Sequence, residues 1–429
     1  MTTELSNFAA RLREFILSEG RVPRGPDCEL RTPNSELRNH NGDSCNSPLR
    51  DFNSLALELF ALQFNYNAAY RKICEARGLA PGVVEHWTRI PAVPTSAFKE
   101  LELTCLAPAE RTTVFHSSGT TEQKPSRHFH NAESLAVYEA SLWAWFRPHL
   151  LADKLKLELQ PSAAPVGVQA SACGCGDEDF RLVILTPPAV QAPHSSLVHM
   201  FETVRQKLGA AETAFVGKLA ADGAWMLDFD AAFVALSSGG DGASPPPQTP
   251  DARPLLLLGT AFSFVHLLDF LAENNLRFDL PAGSRVMETG GYKNRSRSMP
   301  KTELHQFITE RLGIPSSHII CEYSMSELSS QAYDGRAALL RGQDWGRAAA
   351  RPYRFFRFPP WARVQIISPE TGCEVVDGET GLIRVFDLAN VFSVMAIQTE
   401  DLGIRRDEHF ELIGRAQLAE PRGCSLMTV

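Results

Sequence analysis

Val114-Phe115-His116-Ser117-Ser118-Gly119-Thr120-Thr121-Glu122-Gln123-Lys124-Pro125-Ser126 opens on an apolar, β-branched run, then packs four hydroxyls around one glycine. A turn of this composition can aim backbone N–H groups and hydroxyls inward, as a polyphosphate requires. Lys124 adds a point charge at its mouth. It is not a Walker loop, because no Gly-Lys-Ser/Thr follows at the required spacing and no helix opens directly after it. Taken alone, the stretch also fits an ordinary polar surface loop. The rest of the chain has to decide.

Working outward, Asn131 is placed to cap a helix with Leu135, Tyr138, Leu142, Trp145 and Phe146 on one face. That aromatic stripe reads as core. On the amino side, residues 90–99 form a proline-fixed connection, and a helix from Phe52 carries Leu55, Leu59, Leu62 and Tyr66. Residues 1–20 read as a short helix with Phe8, Leu12, Phe15 and Ile16 on one face, and residues 20–50 as a linker poor in apolar side chains.

Beyond 180 the order repeats. Residues 180–185 read as a buried strand, His194-Ser195-Ser196 as a polar turn, and a helix runs through Met200 to Leu208. Residues 237–254 read as a second insertion. Strand 255–258 precedes helix 262–271, and strand 285–287 precedes the turn Glu288-Thr289-Gly290-Gly291-Tyr292. Pro300 opens a helix that Gly313 ends, and Ile319-Ile320 lead into Cys321-Glu322-Tyr323-Ser324-Met325-Ser326-Glu327. Strands alternating with helices predict an α/β fold, its largely parallel sheet covered on both faces. Ligands of such sheets sit where strands exit at their carboxyl ends. The turns at 117–124, 289–292 and 323–327 are read as three such exits and are expected to converge.

From Ala362 the texture changes. Short strands at 364–367, 375–376, 382–385, 394–397 and 410–413, divided by Pro-Glu-Thr-Gly and Asp-Gly-Glu-Thr-Gly turns, predict antiparallel β structure. The expected organisation is an N-terminal helix and linker over 1–51, an α/β core over 52–360, and a β-rich subdomain with a thiol-bearing tail over 361–429.

The chain has 429 residues, 44% of them hydrophobic, enough for a large core or two. A net charge of −8 without a basic block argues against nucleic acid as the main partner. No signal-like leader and no apolar run of about 18 residues are visible, so no membrane span is expected. Nine scattered cysteines, an odd number, suit reduced thiols and a cytoplasmic location. Cys173-Gly174-Cys175 lacks the second pair a structural zinc site needs and reads as a glycine-rich turn.

In order, Ser-Ser-Gly-Thr-Thr, Glu-Thr-Gly-Gly-Tyr-Lys, Glu-Tyr-Ser-Met-Ser-Glu, Thr-Glu-Asp and Gly-Arg resemble the adenylate-forming acyl-activating enzymes over roughly residues 52–429. The likeness is strongest to the acyl-protein synthetase family, whose best-known members supply the fatty acid reductase complex of bacterial luminescence. Phenylacetate–CoA ligases are more distantly similar.

The resemblance implies an adenylate-forming fold that binds ATP and Mg2+. Ser117, Ser118, Gly119, Thr120, Thr121 and Lys124 would hold the β- and γ-phosphates. Gly290, Gly291 and Tyr292 would line the adenine pocket, with Tyr323 beside the ring. Ser326 would lie near the α-phosphate, and Glu327 would face the metal. Asp401 would bind the ribose hydroxyls, with Arg415 close to ribose or phosphate. The residue types suit the chemistry: a carboxylate attacking the α-phosphorus needs charge neutralised by a metal and fixed donors.

Glu122 and Ser324 stand where the family pattern has glycine. The mobile C-terminal domain of the acyl-CoA ligases, with its catalytic lysine, is expected to be absent, since fourteen residues follow Arg415. Within those fourteen, Cys424 matches a family cysteine that carries the acyl group as a thioester; an ordinary thiol is the other reading. The implied activity is ATP-dependent activation of a carboxylic acid, then acyl transfer to a thiol and onward to an acceptor protein or reductase. His194, Phe262 and Phe264 are candidate walls of the acid pocket, by location alone. An acyl-CoA ligase of the phenylacetate type and a non-catalytic nucleotide-binding or carrier-docking protein share parts of this pattern.

Overall fold

The computed structural model describes residues 3–19, 52–117, 124–151, 180–210, 212–221, 223–237, 253–291, 296–334 and 355–416. The expected linker at 20–50, the Cys173/Cys175 turn, nearly all of the insertion at 237–254 and the tail with Cys424 lie outside the described residues.

Six strands form the main sheet, in the order Ala332–Tyr333, Ile319–Tyr323, Arg285–Thr289, Leu255–Thr260, Arg181–Ile184, Thr213–Phe215. All neighbours run parallel except the edge strand Ala332–Tyr333. Leu255–Thr260 is buried along its whole length, as an apolar strand must be when helices cover both faces. Its side chains alternate between two cores. Leu256 and Leu258 meet Tyr138, Leu142, Phe146, Met200 and Phe201 on one face, while Leu255 and Leu257 meet Phe264, Leu268, Leu304 and Ile308 on the other. The helices start and stop where local chemistry predicts. Asn131 Oδ1 accepts from Ser134 N at 2.8 Å ahead of helix Ala132–Leu150. Gly313 closes Lys301–Leu312 in the left-handed region, at φ 69°.

The second sheet is antiparallel across Ala362–Ile367, Thr380–Asp387 and Ala396–Arg406, with His409–Arg415 folding back on the last of these. Val93–Pro94 joins it in parallel beside Ile397–Gln398. Helices Thr3–Glu19, Phe52–Tyr66 and Ala68–Ala76 share its core, where Phe8, Leu12, Leu59 and Tyr70 belong to one cluster with Ile383, Val385 and Ile397. The strand expected at 375–376 does not form, and only Glu374 makes an isolated bridge to Ile367. The turns on either side leave too few residues there to build a ladder.

A second correction concerns the Ser/Thr-rich turn. Thr113–His116 pairs antiparallel with Arg127–His130, so this turn closes a two-stranded ribbon and does not leave the parallel sheet. Ser126 N donates to Ser117 Oγ at 3.0 Å, and Ser117 N to Ser126 O at 3.4 Å, which fastens the stem. The return strand Arg-His-Phe-His is missed because its inward positions are histidines: His128 and His130 are both buried.

Candidate active site

Strands Arg285–Thr289 and Ile319–Tyr323 lie side by side, so the turns at 289–291 and 323–330 leave the sheet together. Gly290 has φ 70°, a conformation that L side chains avoid. From the neighbouring strand end, Tyr323 Oη donates to Asp401 Oδ2 at 2.9 Å, closing a gap of 78 residues. Phe356, Phe358 and Phe410 surround the Tyr323 ring edge-on, with centroids 6.1, 6.3 and 5.5 Å away. Burial raises the Asp401 carboxyl, while the Tyr323 hydroxyl and the Arg415 charge pull it back. Arg415 faces Asp401 across the strand pair, and its exposed guanidinium reaches Glu400 Oε2 at 2.6 Å.

Three residues further along, Ser326 Oγ donates to Glu327 Oε2 at 3.0 Å, with both residues buried. The backbone here is held from two directions. From the second sheet, Asn390 Nδ2 donates to Glu327 O at 2.9 Å. Asp387 Oδ2 accepts from Ser329 N and Ser330 N at 2.9 and 2.8 Å, and its Oδ1 accepts from Ser330 Oγ and Ala389 N at 2.7 and 3.0 Å. Burial pushes the Asp387 carboxyl up to about 6 against those four donors. From the ribbon, His128 Nδ1 lies 2.8 Å from Ser326 O.

Beneath the turns, on the face toward helix Lys301–Leu312, the buried Glu288 carboxyl meets Lys301 Nζ at 3.0 Å and His305 Nε2 at 3.3 Å. Burial opposes its charge, but the lysine and histidine outweigh that and hold it at about 2. Lys301 also touches Cys321 Sγ. On the opposite face, Thr289 Oγ1 donates to Glu322 Oε2, and burial raises the Glu322 carboxyl to about 7.

Tyr323, Ser326, Glu327, Asp401 and Arg415 therefore gather at one end of the sheet, with Gly290 and Gly291 on the adjacent turn. Lys124 lies 3.6 Å from Glu100 Oε2 with its amine half exposed. Ser118, Gly119, Thr120, Thr121, Tyr292 and Cys424 are outside the described residues. His194 stacks on His116 at 4.9 Å, and its Nδ1 lies 3.1 Å from Val114 O, against the ribbon edge. Phe264 is fully buried in the core beneath the sheet, and Phe262 is buried at the start of the same helix. His128, Asp387 and Asn390 escaped the sequence reading. Their one local signal is polar residues at a strand or its exit, Asp387 and Asn390 flanking Leu388-Ala389.

Among the described residues, no set of three or more His, Cys, Asp or Glu is placed to hold a metal by itself. A single buried carboxylate such as Glu327 suits a hard cation whose other ligands are substrate phosphates and water.

Known structures share this architecture. Over 84% of this chain and 74% of theirs, the fold matches 2-hydroxyisobutyryl-CoA ligase in an open conformation with 2-HIB-AMP and CoA, at a TM-score of 0.54 and 13% identity. The same ligase in its thioesterification state matches over 85% of this chain and 68% of its own, at a TM-score of 0.55 and 13% identity. The chain spans about half the length, 49%, of the ATP-bound RpMatB-BxBclM chimera B3, at a TM-score of 0.44. The fold is that of the adenylate-forming ligases. Within that class, residues 147–428 match the model of the acyl-protein synthetase LuxE, and the chain belongs to that family. Two curated relatives are long-chain-fatty-acid–luciferin-component ligases. That of Vibrio harveyi is 22% identical over 377 residues, 85% of this chain and 84% of its own. That of Aliivibrio fischeri is 21% identical over 387 residues, 87% and 86% of the two chains.

Proposed function

We propose that this acyl-protein synthetase activates a long-chain fatty acid with ATP and passes the acyl group to a protein thiol. A carboxylate oxygen attacks the α-phosphorus, forming the acyl–O–P bond as the bond to the pyrophosphate oxygen breaks. The Cys424 thiolate then attacks the acyl carbon, AMP leaves, and a thioester forms for delivery to an acceptor protein such as a reductase.

The Tyr323–Asp401 bond at 2.9 Å, with Glu327 four residues beyond Tyr323, is the observation that carries this reading. It brings Asp401, from the antiparallel second sheet, to the carboxyl end of the parallel strand Ile319–Tyr323, where ligands of such sheets bind. Asp401 would accept from the ribose hydroxyls, and Tyr323, Gly290, Gly291 and Tyr292 would enclose the base. Ser326 would donate toward the α-phosphate. Ser117, Ser118, Gly119, Thr120, Thr121 and Lys124 would cradle the outer phosphates, and Arg415 would swing from Glu400 to ribose or phosphate. Bound Mg2+ would supply charge neutralisation on the phosphates, with Glu327 as its protein ligand. Among the described residues, no helix is long and apolar enough to cross a membrane.

The test is a fatty-acid-dependent exchange of labelled pyrophosphate into ATP, followed by incubation with labelled acid. Label that stays on denatured protein, is released by hydroxylamine and disappears in C424S is the expected result. Acyl-CoA formation without protein-bound label would replace this reading with a CoA ligase, and absence of exchange with any acid would leave a non-catalytic nucleotide binder.

A further inference from the structure

The ribbon and the loop that follows strand Ile319–Tyr323 are separate in sequence, yet they touch through one imidazole. His128 is 3% exposed and lies opposite Phe115 in the ribbon. The rings of Phe98 and His130 flank it at 6.2 and 4.4 Å. Its Nδ1 meets the carbonyl of Ser326 at 2.8 Å across 198 residues of chain. A carbonyl can only accept, so Nδ1 carries the proton. Ser326 is in turn the residue whose hydroxyl donates to the Glu327 carboxylate.

We propose that His128 is a positioning residue, fixing the Ser326–Glu327 backbone against the ribbon so that the Glu327 carboxylate stands where a phosphate-bound cation needs it. This rests on the acyl-activating reading above. The imidazole acts as a neutral donor, never as an acid or base, because burial lowers it to about 4 despite the Ser326 carbonyl. No other titratable group is needed for it to work at neutral pH. The second sheet grips the same loop at Glu327 O, Ser329 N and Ser330 N. His128 opposes that grip from the other side and sets the loop's position between the two.

Two measurements test this. Histidine 15N NMR of the full chain should show His128 as the Nδ1–H tautomer, uncharged from pH 5.5 to 8. In the pyrophosphate-exchange assay, His128→Leu removes the donor, whereas His128→Asn places an amide N–H near the position of Nδ1. For His128→Leu the turnover should fall about 10-fold, the loss typical of a buried carbonyl left without its donor. Its half-saturating Mg2+ concentration should rise severalfold, with the KM for the fatty acid unchanged. His128→Asn should recover most of both. A purely structural residue would not move the Mg2+ requirement selectively.

An Nε2–H tautomer, or an active His128→Leu enzyme with the wild-type Mg2+ requirement, overturns the positioning role alone. A wild-type protein without acid-dependent exchange overturns the acyl-activating reading, and this inference with it.

Discussion

Replacing Glu322 by Gln should make the protein's stability less dependent on pH, in a window and direction that the structure fixes. Glu322 is 2% exposed, takes a hydrogen bond from Thr289 Oγ1, and has its carboxyl raised by burial to about 7 from an unperturbed 4.5. A carboxyl raised on folding holds its proton longer in the native state than in the unfolded chain. Its contribution is therefore intact below about pH 4.5 and is lost as pH rises through 7. Lifting the carboxyl from 4.5 to about 7, at about 1.4 kcal/mol for each pH unit, corresponds to a full loss of about 3 to 4 kcal/mol. Glutamine keeps the acceptor for Thr289 and cannot ionise. The buried histidines slope the other way, because His128 sits near 4 and gives up stability as pH falls below 6.5. The informative quantity is thus the difference between the two proteins. Urea denaturation at pH 5, 6, 7 and 8 should show the variant gaining about 2 to 3 kcal/mol on the wild type between pH 5 and 8, with most of the gain complete by pH 7. A difference that stays constant across those pH values would refute the burial argument.

The Tyr323–Asp401 bond should appear as coupling in a double-mutant cycle. Tyr323→Phe and Asp401→Asn should each raise the KM for ATP about tenfold, and the double variant should fall short of their product by a coupling of about 1 kcal/mol. Glu327→Gln should lower pyrophosphate exchange by about two orders of magnitude while thermal unfolding moves by only a few degrees, since the amide still accepts from Ser326 Oγ. Exchange should also decline as pH falls through about 6, because a protonated Asp387 turns an O–H donor toward the donors it must accept from. Asp387 stability runs opposite to its activity: its raised carboxyl makes the ionised form the disfavoured one, so its contribution falls as pH rises through 6. Asp387→Asn, which sets an NH2 against those donors, should cost about 3 kcal/mol in urea denaturation at pH 7.

Much of the fold was legible because it is local. The apolar run at 255–258, the cap at Asn131 and the stop at Gly313 each act within a few residues, and each stands where its chemistry predicts. The gathering of Gly290, Tyr323, Ser326 and Glu327 followed from strand order alone, because adjacent parallel strands deliver their exits to the same edge. The ribbon was not legible. Arg127-His128-Phe129-His130 lacks the apolar alternation that marks a strand, since its inward side chains are imidazoles with partners elsewhere. The same holds for Asp387 and Asn390, whose partners lie about sixty residues away in sequence. Val375-Val376 erred in the other direction: Val375 N donates to Ile366 O at 2.8 Å beside the Glu374–Ile367 bridge, but the pairing goes no further and exposed Val376 turns away.

What makes this arrangement suited to charge chemistry is how the loop after Tyr323 is held. Residues 326–331 are buried although most are polar, so their backbone groups must find partners inside the protein. Fixing each residue opposes chain entropy of about 1–2 kcal/mol, and one net hydrogen bond offsets only about 1 kcal/mol. No single contact could hold the loop. The bonds from Asp387 and Asn390, with that from His128, act on it together, and the burial of Leu328 adds to them. The loop is therefore ordered before any ligand arrives, and the Glu327 carboxylate has little reorganisation left when charge develops nearby. Removing one grip should not unfold the domain. It should leave the carboxylate placed about as well on average but over a wider range, which lowers the rate at saturating ATP more than it weakens ATP binding.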